Sequence, residues 1–343
     1  MNKNELKDPS ERERKLRTVG EYLMPPHLDN AKGERRKVGI EVELSGPEVK
    51  DLVELVAQVF NGDMERLSDR EWLLHSEDYG TFTVEVDSQL LKRIAREYED
   101  SGNMIDELTS NTLGSITKGW VPCEIVTPPL PIDEIDRMDQ LIDLVRERGG
   151  KGTKDSIWNA FGLHFNPEIA ALDADTILRH LQAYVCVHDW LVEHGDVDFS
   201  RRVTPYINPF ESDYVEFILR EDYKPDMDAL IDDYIRFNPT RNRALDMLPM
   251  FMHIDEERVK HSIADPLVKP RPTFHYRLPN CDIDNPQWGL WEPWNDWVMV
   301  ESLAADPARL REACDAYLKH LDSFTPDFIK PWKEQVVKWL DAQ

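Results

Sequence analysis

Paired cysteines and long apolar runs are both missing from this chain of 343 residues. Its four cysteines are widely separated and never form a Cys-x-x-Cys spacing, which argues against a disulfide framework and a zinc knuckle. No apolar run approaches the ~18 residues that a membrane helix needs, and the first 17 residues hold no apolar stretch typical of a secretory signal. We therefore expect a cytoplasmic protein with reduced cysteines and no membrane partner.

Basic charge is also scarce. The 41 Lys and Arg residues face 66 Asp and Glu residues, which gives a formal net charge of -25. Such a chain repels a phosphate backbone, so we expect no nucleic-acid partner. A Walker glycine loop, GxGxxG, GxSxG and HExxH are all absent, so the commonest signatures of nucleotide-binding loops and of hydrolases do not apply.

Two regions differ in composition. Residues 1–34 are highly charged and contain Pro25 and Pro26, which predicts an arm that is partly mobile or draped over the domain. Residues 35–343 are long enough for one large core. We interpret them as a single domain with a helical insertion at about residues 170–260 and further helices at the C-terminus.

The first strand-like segment, residues 36–45, carries two carboxylates at alternate positions. Successive side chains of a strand point to opposite faces. One face therefore presents Val38, Ile40, Val42 and Leu44, and the other presents Gly39, Glu41 and Glu43.

The same alternation recurs in four later segments, at residues 81–88, 120–129, 161–167 and 271–279. Their polar positions carry Glu85, Asp87, Glu124, His164, Asn166, His275 and Arg277. Helical periodicity predicts helices at residues 46–61, 91–98, 132–148, 173–191, 226–237, 241–250, 291–303, 307–321 and 331–340. Alternating strands and helices by themselves favour a parallel α/β sheet.

The polar faces have the composition of a metal site. Carboxylates that face one another repel, and burying them without a partner is costly, so such a face is expected to bind divalent cations or arginines. The oxygen-rich donors suit Mg²⁺ or Mn²⁺. The alternative is that each strand merely has a solvated outer face. That alternative weakens across five segments, because their centres hold carboxylates, histidines and one arginine but no lysine.

Arginines add a second signal near the last segment. Arg241, Arg243, Arg271 and Arg277 lie shortly before it or within it. Arginines beside a metal site are suited to binding phosphate or carboxylate through paired hydrogen bonds. Salt bridges to the surplus acids are the alternative, and we prefer that interpretation for Arg201 and Arg202.

Taken together, these segments resemble the amidoligases of the glutamine synthetase and glutamate-cysteine ligase superfamily. The matching pieces are GIEVEL at residues 39–44, EVDS at 85–88, EIVTPP at 124–129, GLHFN at 162–166 and RLP at 277–279. They span about residues 36–300, and their order and spacing carry the resemblance.

The resemblance implies an α+β fold, with a curved antiparallel sheet and helices packed on its outer face, like the catalytic domain of glutamine synthetase. It implies an ATP-dependent ligase that joins a carboxylate to an amine through an acyl phosphate and acts, by family analogy, on glutamate or a γ-glutamyl compound. The substrates would be small molecules or peptides, and a homo-oligomer is compatible with the family.

The family's metal-binding positions correspond to Glu41, Glu43, Glu124 and His164, which would bind Mg²⁺ or Mn²⁺. One departure is His275, which stands where the glutamine synthetase pattern has a glutamate, so it would bind either metal or phosphate.

The remaining polar positions are assigned to the substrates. Arg243 and Arg277 would stabilise the transferred phosphoryl group, and Glu85 or Asp87 would accept the proton of the amine. ATP would be bound by Arg241, Arg243, Arg271, Arg277 and Asn166.

Two other functions stay open. A metal-dependent hydrolase could use the same carboxylates to activate water, without ATP and without the arginines. A noncatalytic ligand-binding protein derived from a ligase is the second alternative, and His275 is compatible with it.

Overall fold

Strand β1 (Lys37–Leu44) lies at the centre of the sheet, because it pairs with three other strands. Val38, Ile40, Val42 and Leu44 on one face of β1 are fully buried, as the alternation predicts. The computed structural model of the protein describes residues 20–87, 122–153, 161–198, 201, 207–321, 332 and 336.

The described strands form one sheet of nine strands, and all its strand pairs are antiparallel. The eight strands after β1 are β2 (Asp63–Ser68), β3 (Glu71–Ser76), β4 (Gly80–Val86), β5 (Cys123–Val126), β6 (Leu130–Pro131), β7 (Leu163–Pro167), β8 (Leu245–Asp246) and β9 (His275–Tyr276). Their order is β2-β3-β4-β5-β1-β7-β9-β8, with β6 beside β1, so the sheet is open. The α+β class is confirmed, whereas the parallel arrangement that alternation alone suggested is wrong.

Nine α-helices accompany this sheet in the described part of the chain. They are α1 (Val49–Phe60), α2 (Arg137–Glu147), α3 (Ala174–His194), α4 (Ser212–Leu219), α5 (Met227–Phe237), α6 (Leu248–Ile254), α7 (Glu256–Ser262), α8 (Trp291–Ala304) and α9 (Pro307–Leu321). Asp173 caps α3 by accepting from the Thr176 amide, and Asp226 caps α5 in the same way. Gly149, at a φ of 87°, follows α2 as the left-handed residue that the sequence predicts.

The apolar face of the sheet packs against helices and aromatic side chains. Helix α1 contacts strands β2, β3 and β4. On the apolar face at β9, the rings of Phe274 and Tyr276 pack against Trp297 of α8. Their centroids lie 5.0 and 5.3 Å, respectively, from that of Trp297. Because their neighbour His275 points the other way, this packing fixes the polar face of β9.

Two predicted elements differ from the structure. The strand at residues 271–279 is reduced to His275–Tyr276, with one isolated bridge between Thr273 and Glu168. The helix predicted at residues 241–250 is wrong. Residues Leu245–Asp246 pair with β9 instead, and α6 begins only at Leu248, with a proline in its first turn.

The hairpin of β2 and β3 has no counterpart in the sequence prediction. All six residues of β2 are exposed, so the segment lacks the apolar alternation that marks a half-buried strand. The helix predicted at residues 91–98, Ser88 and most of the predicted helix at 331–340 lie outside the described residues.

Tyr22 and Leu23 of the N-terminal segment contact two helices. The backbone amide of Leu23 donates to Asn295 (2.8 Å), and its carbonyl accepts from the indole of Trp294 (2.9 Å). The hydroxyl of Tyr22 donates to Asp139 at 2.6 Å. These contacts fix the segment to α8 and α2.

An ion pair inside the core joins Arg36, the residue directly before β1, to Glu301 of α8. Arg36 and Glu301, 1% and 3% exposed, form two parallel hydrogen bonds of 2.7 Å. Arg36 also donates to the carbonyls of His27 and Glu168, and Trp297 donates to Glu301. Each charged group in this buried pair therefore has several partners.

No helix among the described residues has the length and apolar character needed to span a membrane.

Candidate metal and substrate site

The polar faces of β1, β5 and β7 meet at the centre of the sheet. Glu43 lies opposite Glu124 of β5, and Glu41 lies opposite His164 of β7. Three chain segments far apart in sequence thus place four of the predicted metal ligands on adjacent strands.

Glu41 accepts hydrogen bonds from three side chains. They come from His164 Nδ1 (2.8 Å), Asn166 Nδ2 (2.9 Å) and Arg271 Nη1 (3.3 Å). Burial alone would raise the pKa of Glu41. The hydrogen bond from His164 and the positive charge of Arg271 act in the opposite direction and hold this pKa well below its usual range. Glu41 is therefore a carboxylate anion at neutral pH.

Glu43 is held by the turn before β7. The backbone amide of Gly162 donates to Glu43 Oε2 at 2.7 Å, and His164 Nε2 lies 3.7 Å from Glu43 Oε1. A side chain at position 162 would meet Arg201 Nη2 at 2.6 Å and His164 Nε2 at 3.2 Å. A larger residue here would therefore displace Arg201 or His164, and glycine leaves both in place.

Glu124 has the opposite electrostatic environment to Glu41. Burial, followed by the negative charges of Glu41, Glu43 and Asp87, raises the pKa of Glu124 well above its usual range. In the absence of a cation, Glu124 therefore favours its protonated form. A bound divalent ion would offset the repulsion among these carboxylates and favour the ionised form.

His275 faces the same cluster from β9. Its Nδ1 lies 2.6 Å from Asn166 Oδ1, and its ring centroid lies 5.3 Å from that of His164. Burial, together with the positive charges of Arg277, His164 and Arg271, lowers the pKa of His275 well below its usual range, although Glu41 acts in the opposite direction. The imidazole is therefore neutral and can bind a metal.

Two groups of side chains offer metal-binding atoms within 4.8 Å of one another. One is Glu41, His164 and His275, and the other is Glu43, Glu124 and His164. Carboxylate oxygens and imidazole nitrogens are common ligands of Mg²⁺, Mn²⁺ and other divalent ions. The donors present therefore fit a divalent metal centre, and the structure brings together all five predicted metal ligands.

Glutamates continue from this centre toward β3. In the strand register, Glu43 lies opposite Glu124, Glu124 opposite Glu85, and Glu85 opposite Glu71. Burial raises the pKa of Glu85, and the charges of Glu71 and Asp87 raise it further. The row is suited to a cationic group such as an ammonium ion.

Arg271 and Arg277 lie on the opposite side of the centre. Arg271 reaches Glu41, and Arg277, 4% exposed, donates to the carbonyl of Arg241 at 3.0 Å. The Nε atom of Arg241 lies 3.5 Å from Oδ2 of Asp265. Cations therefore line the β9 side of the site and acids line the β4 side.

Arg243 is placed apart from the other predicted site residues. Its guanidinium donates to the carbonyl of Pro209, lies 3.5 Å from Glu211 and stands over the ring of Phe210. These contacts lie on the side of the helices. The structure does not bring Arg243 to the carboxylates, and its role with phosphate stays a prediction.

Arg201, for which the sequence favoured salt bridges to the surplus acids, is buried. It donates to the carbonyls of Arg277, Leu278 and Pro279. It thereby holds the segment that follows β9. Arg202 lies outside the described residues.

A pocket of about 710 Å³ opens beside Glu41. Its lining includes the cationic residues Arg35, Lys37 and Arg271, the acids Glu34 and Glu168, and Asn166. The apolar part of the wall comes from Val126, Pro129 and Pro272. The pocket is large enough for a drug-sized or nucleotide-sized ligand.

Sequence reasoning missed two acids of this face. Asp246 of β8 lies opposite His275. Burial raises its pKa to about 7, although a hydrogen bond from the Leu248 amide and the charge of Arg277 lower it. Asp246 was missed because residues 241–250 were predicted to be helical, and Glu71 was missed because its segment shows no apolar alternation. In the sequence, the local sign of β8 is limited to the step from apolar Ala244 and Leu245 to Asp246.

Comparison with protein families gives one match. The family model described as "Putative amidoligase enzyme" matches residues 34–299, which include β1 and all five predicted metal ligands. No curated protein matches the chain.

Proposed function

The chain belongs to the amidoligase family, and on this premise we propose that it is an ATP-dependent ligase that joins a carboxylate to an amine. The proposal rests on the two clusters of carboxylate and imidazole side chains that share His164, together with Arg271 and Arg277 beside them. A hydrolase would need the carboxylates but not the cations.

A divalent ion would be held by either of the two groups of ligands, Glu41 with His164 and His275 or Glu43 with Glu124 and His164. A neutral imidazole has one lone pair, so His164 would ligate one ion at a time. A bound Mg²⁺ or Mn²⁺ ion would neutralise the charge that develops on the transferred phosphoryl group.

We assign ATP to the pocket beside Glu41. Its volume of about 710 Å³ suits a nucleotide, and Arg271 lies both in its wall and within hydrogen-bond distance of Glu41. Arg271 and Arg277 would bind phosphate oxygens, since a guanidinium binds them with two parallel donors. Asn166 lines the end of the pocket next to the metal ligands.

The proposed reaction activates the acid before the amine attacks. The carboxylate substrate takes the γ-phosphoryl group from ATP and releases ADP. The amine then attacks the acyl phosphate, forms the amide and releases phosphate. Glu85 or Asp87 would bind the ammonium form of the amine and accept its proton. The raised pKa of Glu85 is consistent with that role.

The substrates that follow from this proposal are a small-molecule or peptide carboxylate and an amine. Glutamate or a γ-glutamyl compound is our first choice of acid on family analogy.

An isotope experiment tests the mechanism. The protein is incubated with Mg²⁺, ATP, an amine panel and carboxylates labelled with ¹⁸O, and the products are followed by mass spectrometry. We expect an amide, ADP and phosphate that carries one ¹⁸O atom from the carboxylate. Amide formation with unlabelled phosphate would exclude the acyl phosphate. Metal-dependent hydrolysis of the same compounds without ATP would favour a hydrolase instead.

A further inference from the structure

Asn166 bridges two of the metal-binding side chains. Its Nδ2 lies 2.9 Å from Glu41 Oε1, and its Oδ1 lies 2.6 Å from His275 Nδ1. Asn166 is 3% exposed, so both contacts are shielded from water. A buried amide with partners on both ends holds each partner in place.

These contacts determine which nitrogen of His275 carries the proton. A carboxylate accepts hydrogen bonds, so Asn166 must present its NH₂ group to Glu41. Its carbonyl oxygen, an acceptor only, then faces His275. The Nδ1 atom of His275 must therefore be the protonated nitrogen, and Nε2 keeps its lone pair.

A lone pair on Nε2 favours a metal over a phosphate. A neutral imidazole with its proton on Nδ1 has no donor left on Nε2 for a phosphate oxygen. Metal-binding histidines commonly donate their second N–H to a nearby oxygen, which orients the ring and raises its basicity. Asn166 supplies that oxygen to His275.

The two groups of ligands differ in their chemistry. Glu41 is joined by two imidazoles, from His164 and His275, whereas Glu43 is joined by Glu124 and one imidazole. Mg²⁺ prefers oxygen ligands, and imidazole suits transition metals.

We propose that the centre of Glu41, His164 and His275 binds a divalent transition-metal ion in preference to Mg²⁺, with Asn166 as the residue that positions His275. The proposal rests on the metal-binding part of the proposed function. It requires neither ATP nor turnover, so it can be tested separately.

Binding of Mn²⁺ without nucleotide tests the preference. Free Mn²⁺ is measured by electron paramagnetic resonance, with Mg²⁺ as competitor, and nitrogen couplings to bound Mn²⁺ count the imidazole ligands. We expect the protein to bind Mn²⁺ on the order of 100-fold more tightly than Mg²⁺. His275→Glu should remove one nitrogen coupling and reduce the preference about tenfold. His275→Gln, which adds no charge, should remove the same coupling.

Asn166→Leu tests the positioning role. The leucine cannot accept the Nδ1 proton, so Mn²⁺ affinity should fall about 10- to 100-fold, as for other outer-shell partners of metal-bound histidine. The His275 coupling should weaken while the unfolding temperature without metal changes little. His261→Glu, on the exposed end of α7, is the matched control for His275→Glu. It should change neither the Mn²⁺ affinity nor the nitrogen couplings.

Three results would overturn the inference. They are equal affinity for Mn²⁺ and Mg²⁺, nitrogen couplings that survive both His275 substitutions, or full Mn²⁺ preference in Asn166→Leu. Failure to bind any divalent ion would instead remove the metal centre of the proposed function itself.

Discussion

At the scale of single residues, Glu124 is the point of greatest charge repulsion in the site. Burial and the neighbouring carboxylates raise its pKa well above the ordinary value. A carboxyl group whose folded pKa lies above its unfolded pKa destabilises the fold as pH rises from the unfolded value toward the folded one. Its penalty is absent below about pH 4 and present at neutral pH.

Glu124→Gln should therefore stabilise the metal-free protein by about 1 kcal/mol or more at pH 7.5, with no gain at pH 4. It should also abolish much of the stabilisation that Mn²⁺ gives, because one ligand is lost. Thermal unfolding at both pH values, with and without Mn²⁺, measures both effects. Glu216→Gln, at an exposed position of α4, serves as the control. A variant less stable than the native protein at pH 7.5 would contradict this account of Glu124.

Gly162 shows how the backbone shapes the proposed metal centre. Gly162→Ala would bring a Cβ atom to 2.6 Å from Arg201 Nη2 and 3.2 Å from His164 Nε2. Arg201 cannot easily retreat, because it donates to the carbonyls of Arg277 and Leu278 at 2.9 Å. We expect about tenfold weaker Mn²⁺ binding, measured by titration.

Gly39→Ala is the matched control for this substitution. Gly39 also lies on the polar face, but its added Cβ would meet Asn166 Cβ at an ordinary 3.5 Å. Its Mn²⁺ affinity should stay within about twofold of the native value. Equal losses in both variants would show that the crowding at position 162 is not the cause.

At the scale of elements, the buried pair of Arg36 and Glu301 connects the start of β1, just after Arg36, to α8. Arg36→Met would leave the Glu301 carboxylate in the core without its countercharge. Breaking such a pair costs about 3–5 kcal/mol, so denaturant unfolding should show a loss of that size. Lys260→Met breaks an exposed pair with Glu256 and should change stability by less than about 1 kcal/mol. Similar losses in the two variants would contradict the importance of burial.

The success of the sequence prediction also varies by element. Strands β1, β4, β5 and β7 have one apolar and one polar face, so alternation identifies them. Strands β8 and β9 have two residues each, too few for a period to show. Their pairing comes from long-range contacts, such as Phe165 with Tyr276, that no local pattern encodes.

At the scale of the whole molecule, the sequence predicts which side chains share a face but not which strands are neighbours. Alternation placed Glu41, Glu124 and His164 on polar faces, and the structure brings them together. The antiparallel arrangement came from the family resemblance, because the strand and helix alternation suggested a parallel sheet. Proximity in sequence did not predict the position of Arg243. It lies two residues from Arg241 in the chain but contacts Phe210 on the helical side.

The most direct test of the account is nucleotide binding by a variant with both Glu41→Gln and Glu43→Gln. Isothermal titration calorimetry with ATP is performed on this variant and on the native protein, with and without Mg²⁺ or Mn²⁺. We predict that the native protein binds ATP only when the divalent ion is present. The variant should bind neither ion nor nucleotide, while it still unfolds cooperatively. Metal-dependent ATP binding at native affinity by the folded variant would contradict the central claim.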